Sequence, residues 1–565
     1  MAMHGHRKRA IDRRTFLEIT GGAAAGLCLP ASLGAQSSGG SESIVATRGG
    51  RLRGVVRDGV HAFKGVPYAA SPEGAARFQA PTRVKPWTGV RDALAFGPRA
   101  PQPARPMIPE IGDALTGSGS TGEDCLRVNV WTRDPRPGAR NPVVVYFHGG
   151  GYRSGSVNSV FYDGTALAKT HGVVFVGVNH RLNALGYLYL AELGGEKYAA
   201  SGNAGLLDLV AALEWVRDNI ANFGGDTGNV TIMGQSGGGG KASMITGMPA
   251  AKGLFHRAII MSTLIESGVK ALDRNQASAS AELFLAKLGL KNTQIDDLHR
   301  LPVGRLIAAL TGGGVASGTQ PGDAASSDIS TQFSAVVDGV TLPAHPYDPV
   351  ASPISADIPI ICGSNETEGV PYADLNDPFW SSEITTDAAL GARVRALFKI
   401  DDAEAARLIA LYRRGRPSDS QGTLALIMAA DNTPTRLASY VFADRKFAAG
   451  RAPAYMYSFA WRSPVRGGKL RTMHSMELPF LFNHPDDVTF MVGDGRDRYG
   501  VAEAMSTAFM TFARTGKPGA PGLSEWAAYD PTRRATMVFN VETRLVNDPH
   551  GDERRALEAL RNRHA

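Results

Sequence analysis

Two short runs carry no polar residue on either face of a strand: Pro142-Val143-Val144-Val145-Tyr146-Phe147 and Gly172-Val173-Val174-Phe175-Val176-Gly177-Val178. A strand apolar on both sides must be covered on both sides, as a central strand of a parallel sheet is by its helices. Downstream, Leu206 to Ala221 places Leu207, Val210, Leu213, Val216 and Ile220 at helical spacing. Asn229-Val230-Thr231-Ile232-Met233 then reads as another strand, ending in a glycine turn. This alternation predicts an α/β chain with a large, mostly parallel central sheet flanked by helices and joined by right-handed crossovers. No repeat at periods of roughly 20–50 residues is visible. No linker divides the later chain, so residues 44–560 are expected to form one domain with long insertions. Residues 311–335, rich in Gly, Ser, Thr and Ala, read as a flexible surface loop.

Composition excludes several classes. With 43% hydrophobic residues the chain has ample apolar matter to bury, so disorder throughout is ruled out. Three cysteines in 565 residues cannot make a disulfide scaffold. No apolar run reaches the ~18 residues that span a bilayer, so no integral membrane segment is expected. The formal charge is +7, but residues 1–35 hold five basic residues against Asp12 and Glu18. Only a weak positive balance remains on the rest, too little to argue for a nucleic-acid partner.

That basic N-terminus has the layout of a cleavable export signal. Arg7, Lys8 and Arg9 precede Arg13-Arg14-Thr15-Phe16-Leu17, and a weakly apolar Ala/Gly-rich stretch follows from Ile19 to Ala35. Paired arginines before Phe-Leu resemble a twin-arginine signal, which implies the twin-arginine export machinery as a transient partner and a periplasmic or secreted location. Glu18 departs from that pattern, which more often has a basic residue there. Residues 1–35 are therefore read as the signal, cut between Ala31 and Ala35, with a short Ser/Gly-rich leader behind it.

Gly234-Gln235-Ser236-Gly237-Gly238 fits G-x-S-x-G, a pattern weak by itself in a chain with 66 glycines. Its context is informative: a strand precedes the serine and a Gly/Ala-rich stretch able to start a helix follows it. A strand–turn–helix elbow of this kind presents the hydroxyl to substrate. A phosphate-binding loop is the competing reading, but no Walker lysine–serine pair follows in register. Upstream, His148-Gly149-Gly150-Gly151 directly follows the strand Pro142–Phe147. Glycines there let backbone N–H groups face a developing oxyanion.

These features belong to a longer series. Phe63-Lys64-Gly65-Val66-Pro67-Tyr68-Ala69, Glu123-Asp124-Cys125-Leu126, Asn179-His180-Arg181-Leu182, Gly202-Asn203-Ala204-Gly205-Leu206-Leu207-Asp208 and Phe223-Gly224-Gly225-Asp226 accompany the glycine run and the serine elbow. In this series the chain resembles the type-B carboxylesterases of the α/β-hydrolase superfamily, a group that includes bacterial para-nitrobenzyl esterases and animal cholinesterases. The resemblance implies Ser236 as nucleophile and the amides of Gly150, Gly151 and Gly237 as oxyanion donors. It places the acid in Gly363-Ser364-Asn365-Glu366-Thr367-Glu368-Gly369 and the base at His474, in Met473-His474-Ser475-Met476-Glu477. Spacing does not choose between the carboxylates, because residues two apart on an extended segment face the same way. The family places its acid directly before the glycine, which implies Glu368 over Glu366. It also implies ion pairs Arg77–Glu123 and Arg181–Asp208, and a Ser262 that helps orient Glu368.

The resemblance implies a serine hydrolase of small carboxylic esters that needs no metal or organic cofactor. Carbamates, amides and lactones are accessible to the same machinery, and a non-catalytic adhesion or binding protein is a distant alternative. Three departures stand out. Gln235 replaces a glutamate, Gly237 replaces an alanine, and the segment Phe96–Gln102 carries alanine where a cysteine partner for Cys125 is common. Cholinesterase activity is not expected, since residues 99–122 contain no aromatic residue and Gln235 removes a negative charge.

Overall fold

The computed structural model describes residues 41–104, 109–311, 329, 332–370, 384–432 and 434–564. The expected signal, most of the leader and most of the 311–335 loop lie outside the described residues. Strands run β1 Ser41–Ala46, β2 Arg51–Arg57, β3 Val60–Pro67, β4 Val90–Asp92, β5 Arg127–Thr132, β6 Asn141–Phe147 and β7 Val174–Val178. They continue as β8 Gly225–Gln235, β9 Arg257–Met261, β10 Ile360–Asn365, β11 Ala454–Phe459, β12 Ala535–Phe539 and β13 Arg544–Asn547. One sheet holds them in the order β1-β2-β3-β5-β7-β6-β8-β9-β10-β11-β12-β13, with β4 beside β2. From β7 to β12 all neighbours are parallel, whereas β1, β2, β3, β5 and β7 pair antiparallel in turn and β13 closes the far edge antiparallel.

The apolar runs explain why the centre is parallel. Along β6, Val143, Val145 and Phe147 enter one core while Val144 and Tyr146 enter another; on β7, Val174, Val176 and Val178 part in the same way from Phe175. Alternate side chains thus feed two cores on opposite faces. The helices Ala204–Asn219 and Pro434–Ala449 supply the first core, and Asp497–Thr515 supplies the second. In Ala204–Asn219 the expected Val210, Leu213 and Val216 are buried, as is Ile220 just beyond it; Leu206 and Leu209 widen the stripe, and of the expected face Leu207 alone is half-buried. A smaller helical core, unmarked in the sequence reading, joins Asp387–Phe398, Asp402–Gly415 and Gln421–Asp431 to the last helix, Gly551–His564. No helix among the described residues is long and apolar enough to cross a membrane.

Cys125 and Cys362 are both free and buried, and burial pushes both thiols up. Ala100, which stands where a cysteine partner is common, lines the same small cavity as Cys125. Thiol titration of the denatured protein without reductant should therefore find both as free thiols, with Cys28 as a third if the N-terminal segment is retained. The native protein should react slowly, because protonated, buried thiols are poor nucleophiles. Loss of both thiols to a disulfide would contradict this.

Candidate active site

β6 lies beside β8 with Phe147 opposite Gly234, so the chain leaving β6 at His148 emerges next to Gln235 and Ser236. Ser236 has φ 59° and ψ −127°, a backbone region that a residue with a side chain rarely adopts. Its N–H donates to Met261 O at 2.8 Å, which ties the turn to β9. The flanking glycines follow from close approach: a Cβ on Gly234 would collide with the Gly238 carbonyl, and one on Gly238 with the Phe147 carbonyl. A Cβ on Gly237 would run into the backbone of Gly151, which accounts for glycine there in place of the alanine common in the family. Gly149 packs against Gln235 and Ser236 in the same corner, so the loop carrying Gly150 and Gly151 sits directly on the elbow.

The other two expected groups also come from the C-terminal ends of parallel strands. β10 leads into the acid segment, and the loop after β11 carries His474. Glu368 Oε2 lies 2.5 Å from His474 Nδ1, while Glu368 Oε1 accepts from the Asn365 N–H at 2.8 Å. Glu366 turns elsewhere: its carboxylate pairs with Arg462 at 3.2 Å. The two carboxylates diverge because the extended strand stops at Asn365 and residues 366–369 form a turn, so the two-residue periodicity no longer applies.

Ser262 corrects an expectation. Its Oγ donates to Glu477 Oε1 at 3.0 Å and not to Glu368. Asn365 Nδ2 donates both to Glu477 Oε2 at 2.5 Å and to Met473 O at 2.8 Å, so Glu477 and Asn365 brace the histidine loop from below. Burial first, and then the Glu368 charge, push the Glu477 carboxyl up. Glu477 stood within the histidine motif, but one acidic residue three places on carries no sequence signal for this role. Lys241 was missed as well. It is a fully buried lysine in the first turns of the helix Gly237–Thr246, where every neighbour is small. The expected ion pairs are present: Arg77 makes a two-point contact with Glu123, and Arg181 another with Asp208.

Gln235 is buried against the histidine. Its Nε2 lies 3.4 Å from His474 Nε2, and its Oε1 accepts from Ser475 Oγ at 3.3 Å. A carboxylate at that position would favour imidazolium, and a general base works only while neutral. Gln235→Glu is therefore expected to move the acidic limb of kcat/KM upward, by about half to one pH unit. It should also favour cationic over neutral esters. An unmoved limb with a lowered melting temperature would mean that Gln235 only packs beneath the elbow.

The carboxylesterase family model matches residues 41–557. The para-nitrobenzyl esterase of Bacillus subtilis is 34% identical over 521 residues, covering 92% of this chain and 99% of that protein. The phenmedipham hydrolase of Pseudarthrobacter oxydans is 34% identical over 505 residues, covering 88% and 95%. Among solved structures, a carboxylesterase of Geobacillus stearothermophilus superposes with a TM-score of 0.73 at 34% identity, covering 91% of this chain and 99% of that one.

Proposed function

Because this chain belongs to the carboxylesterase family and is a carboxylic ester hydrolase of the α/β-hydrolase fold, we propose that Ser236, His474 and Glu368 perform the reaction. His474 Nε2 takes the Ser236 Oγ proton as the oxygen attacks the ester carbonyl. The amides of Gly150, Gly151 and Gly237 receive the negative charge of the tetrahedral intermediate. His474 then returns the proton to the leaving alcohol, and an acyl-enzyme forms. In the second half the same imidazole activates water, and the carboxylic acid leaves. Glu368 holds the imidazole with Nδ1–H toward itself and stabilises imidazolium. The observation that carries this reading is the 2.5 Å contact between Glu368 and His474 Nδ1, which leaves Nε2 on the side of the elbow.

A partition experiment tests it. Two esters of one acid with different alcohols pass through one acyl-enzyme, so added methanol should divide them between acid and methyl ester in the same ratio. Ratios that depend on the leaving alcohol would contradict a shared intermediate.

We propose further that residues 1–35 direct export by the twin-arginine route. The support is the Arg13-Arg14-Thr15-Phe16-Leu17 layout. Arg13→Lys with Arg14→Lys should strand active enzyme in the cytoplasm; unchanged export would contradict the route.

A further inference from the structure

Lys241 is an unusual residue to find under a serine elbow. Its side chain is fully buried and enters no ion pair with a carboxylate among the described residues. Burial alone pulls its ammonium down to about 7. Its Nζ donates to His148 O at 3.1 Å and to Gly151 O at 2.8 Å, the first and last carbonyls of the glycine loop.

The two carbonyls between them are held by the loop itself. Gly149 O accepts from His148 Nδ1 at 2.8 Å, and Gly150 O accepts from the Ser154 N–H at 3.1 Å and from Ser154 Oγ at 3.3 Å. In a trans peptide the C=O of one residue and the N–H of the next point in opposite directions. Fixing Gly149 O and Gly150 O therefore aims the N–H groups of Gly150 and Gly151. Those inner bonds are local, made within residues 148–154, and Gly150 and Gly151 have φ of 95° and 66°, a region that glycine enters without a steric cost. Lys241 reaches in from the helix Gly237–Thr246 and holds the two peptides that flank them. His148 is held neutral, at about 3, by its own burial first and then by the Lys241 charge, and the Gly149 carbonyl selects the tautomer that donates Nδ1–H to it.

We propose that Lys241 is the positioning residue of the oxyanion hole, clamping both ends of the His148–Gly151 loop so that the Gly150 and Gly151 amides are preorganised for the tetrahedral intermediate. This rests on the oxyanion role assigned above to those amides. Lys241 touches no substrate atom and acts through the loop. A preorganised donor pair matters in the transition state more than in the bound ester, so its loss falls on kcat and not on KM.

Lys241→Met keeps the apolar stem and removes every donor. Its kcat should fall by about 10- to 100-fold with KM changed less than about threefold, the range expected when oxyanion donors are misaligned but present. A trifluoromethyl ketone, whose hemiketal places an oxyanion in the same hole, should lose affinity by the same factor as kcat/KM. Lys241→Arg, which keeps the charge and donors, should recover more activity than Lys241→Gln, and Lys241→Gln more than Lys241→Met. Folded Lys241→Met with parental kcat, a loss confined to KM, or undiminished ketone affinity would each overturn the proposal. So would the failure of all three variants to fold, since that marks a purely structural cation. Covalent labelling of Ser236 in the parent enzyme tests the underlying reading separately, so failure of one does not masquerade as failure of the other.

Discussion

Ser236→Ala or His474→Ala should lower kcat by about 10⁴-fold or more while leaving the fold intact. Each removes a member of a unit that works only when complete, so the double variant should be little worse than either single one. Glu368→Gln should cost somewhat less. Its amide keeps the shape but no longer matches the Nδ1–H of the imidazole or offsets imidazolium charge, and the Asn365 N–H that now meets Glu368 Oε1 faces a less committed partner. Glu366→Gln should be mild, because that carboxylate faces Arg462 and not the histidine. Steady-state kinetics on the four single variants and the double variant decide the matter. A crippled Glu366→Gln beside a mild Glu368→Gln would reverse the acid assignment.

The second large effect concerns stability. Asp208 is fully buried and accepts from the Arg181 backbone N–H at 3.0 Å, from Nε at 2.9 Å and from Nη2 at 2.6 Å. Arg181 also donates to Gln79 O at 2.8 Å, so the pair fastens the segment after β7 to the helix Ala204–Asn219 and to the N-terminal part of the fold. Arg181→Met leaves a carboxylate stranded in the interior, and Asp208→Leu strands a guanidinium. Either should cost about 3–5 kcal/mol, since an uncompensated buried charge is worse than no charge at all. The double variant should be less damaged than the sum of the two, and denaturant midpoints of the three proteins measure that difference. A single substitution costing under about 1 kcal/mol would mean that the pair is solvated in solution.

Much of this was readable from the residues. The apolar runs at β6 and β7 could only be central strands, and the elbow at Ser236 followed from a strand, small neighbours and a helix start. Ser236 and the acid segment each stand just beyond an apolar strand, whereas His474, 15 residues past the end of β11, was visible only through its motif and the chain order of the family it resembles. The edges of the sheet were harder. β2 and β3 alternate buried and exposed positions irregularly, and β1, β2, β3 and β5 are held antiparallel by pairing with one another, which no single run declares. The choice between Glu366 and Glu368 depended on where β10 stops, a boundary set by hydrogen bonds to β11 and not by local sequence. Ser262, Asn365 and Glu477 meet only because β9, β10 and the histidine loop converge, so their mutual bonds are tertiary facts. Lys241 illustrates the limit best. A lone lysine among glycines reads as solvent-facing, and only the packing of the helix Gly237–Thr246 under the loop after β6 takes it out of water.

Everything proposed for this site turns on Ser236 as the nucleophile, with charge and proton movements organised around it. Treatment with a fluorophosphonate, followed by peptide mapping, tests this most directly. One adduct per chain is expected, on the Ser236 peptide, appearing at the rate at which ester hydrolysis is lost and absent from Ser236→Ala. An adduct on another serine, or full hydrolysis with Ser236 blocked, would contradict it.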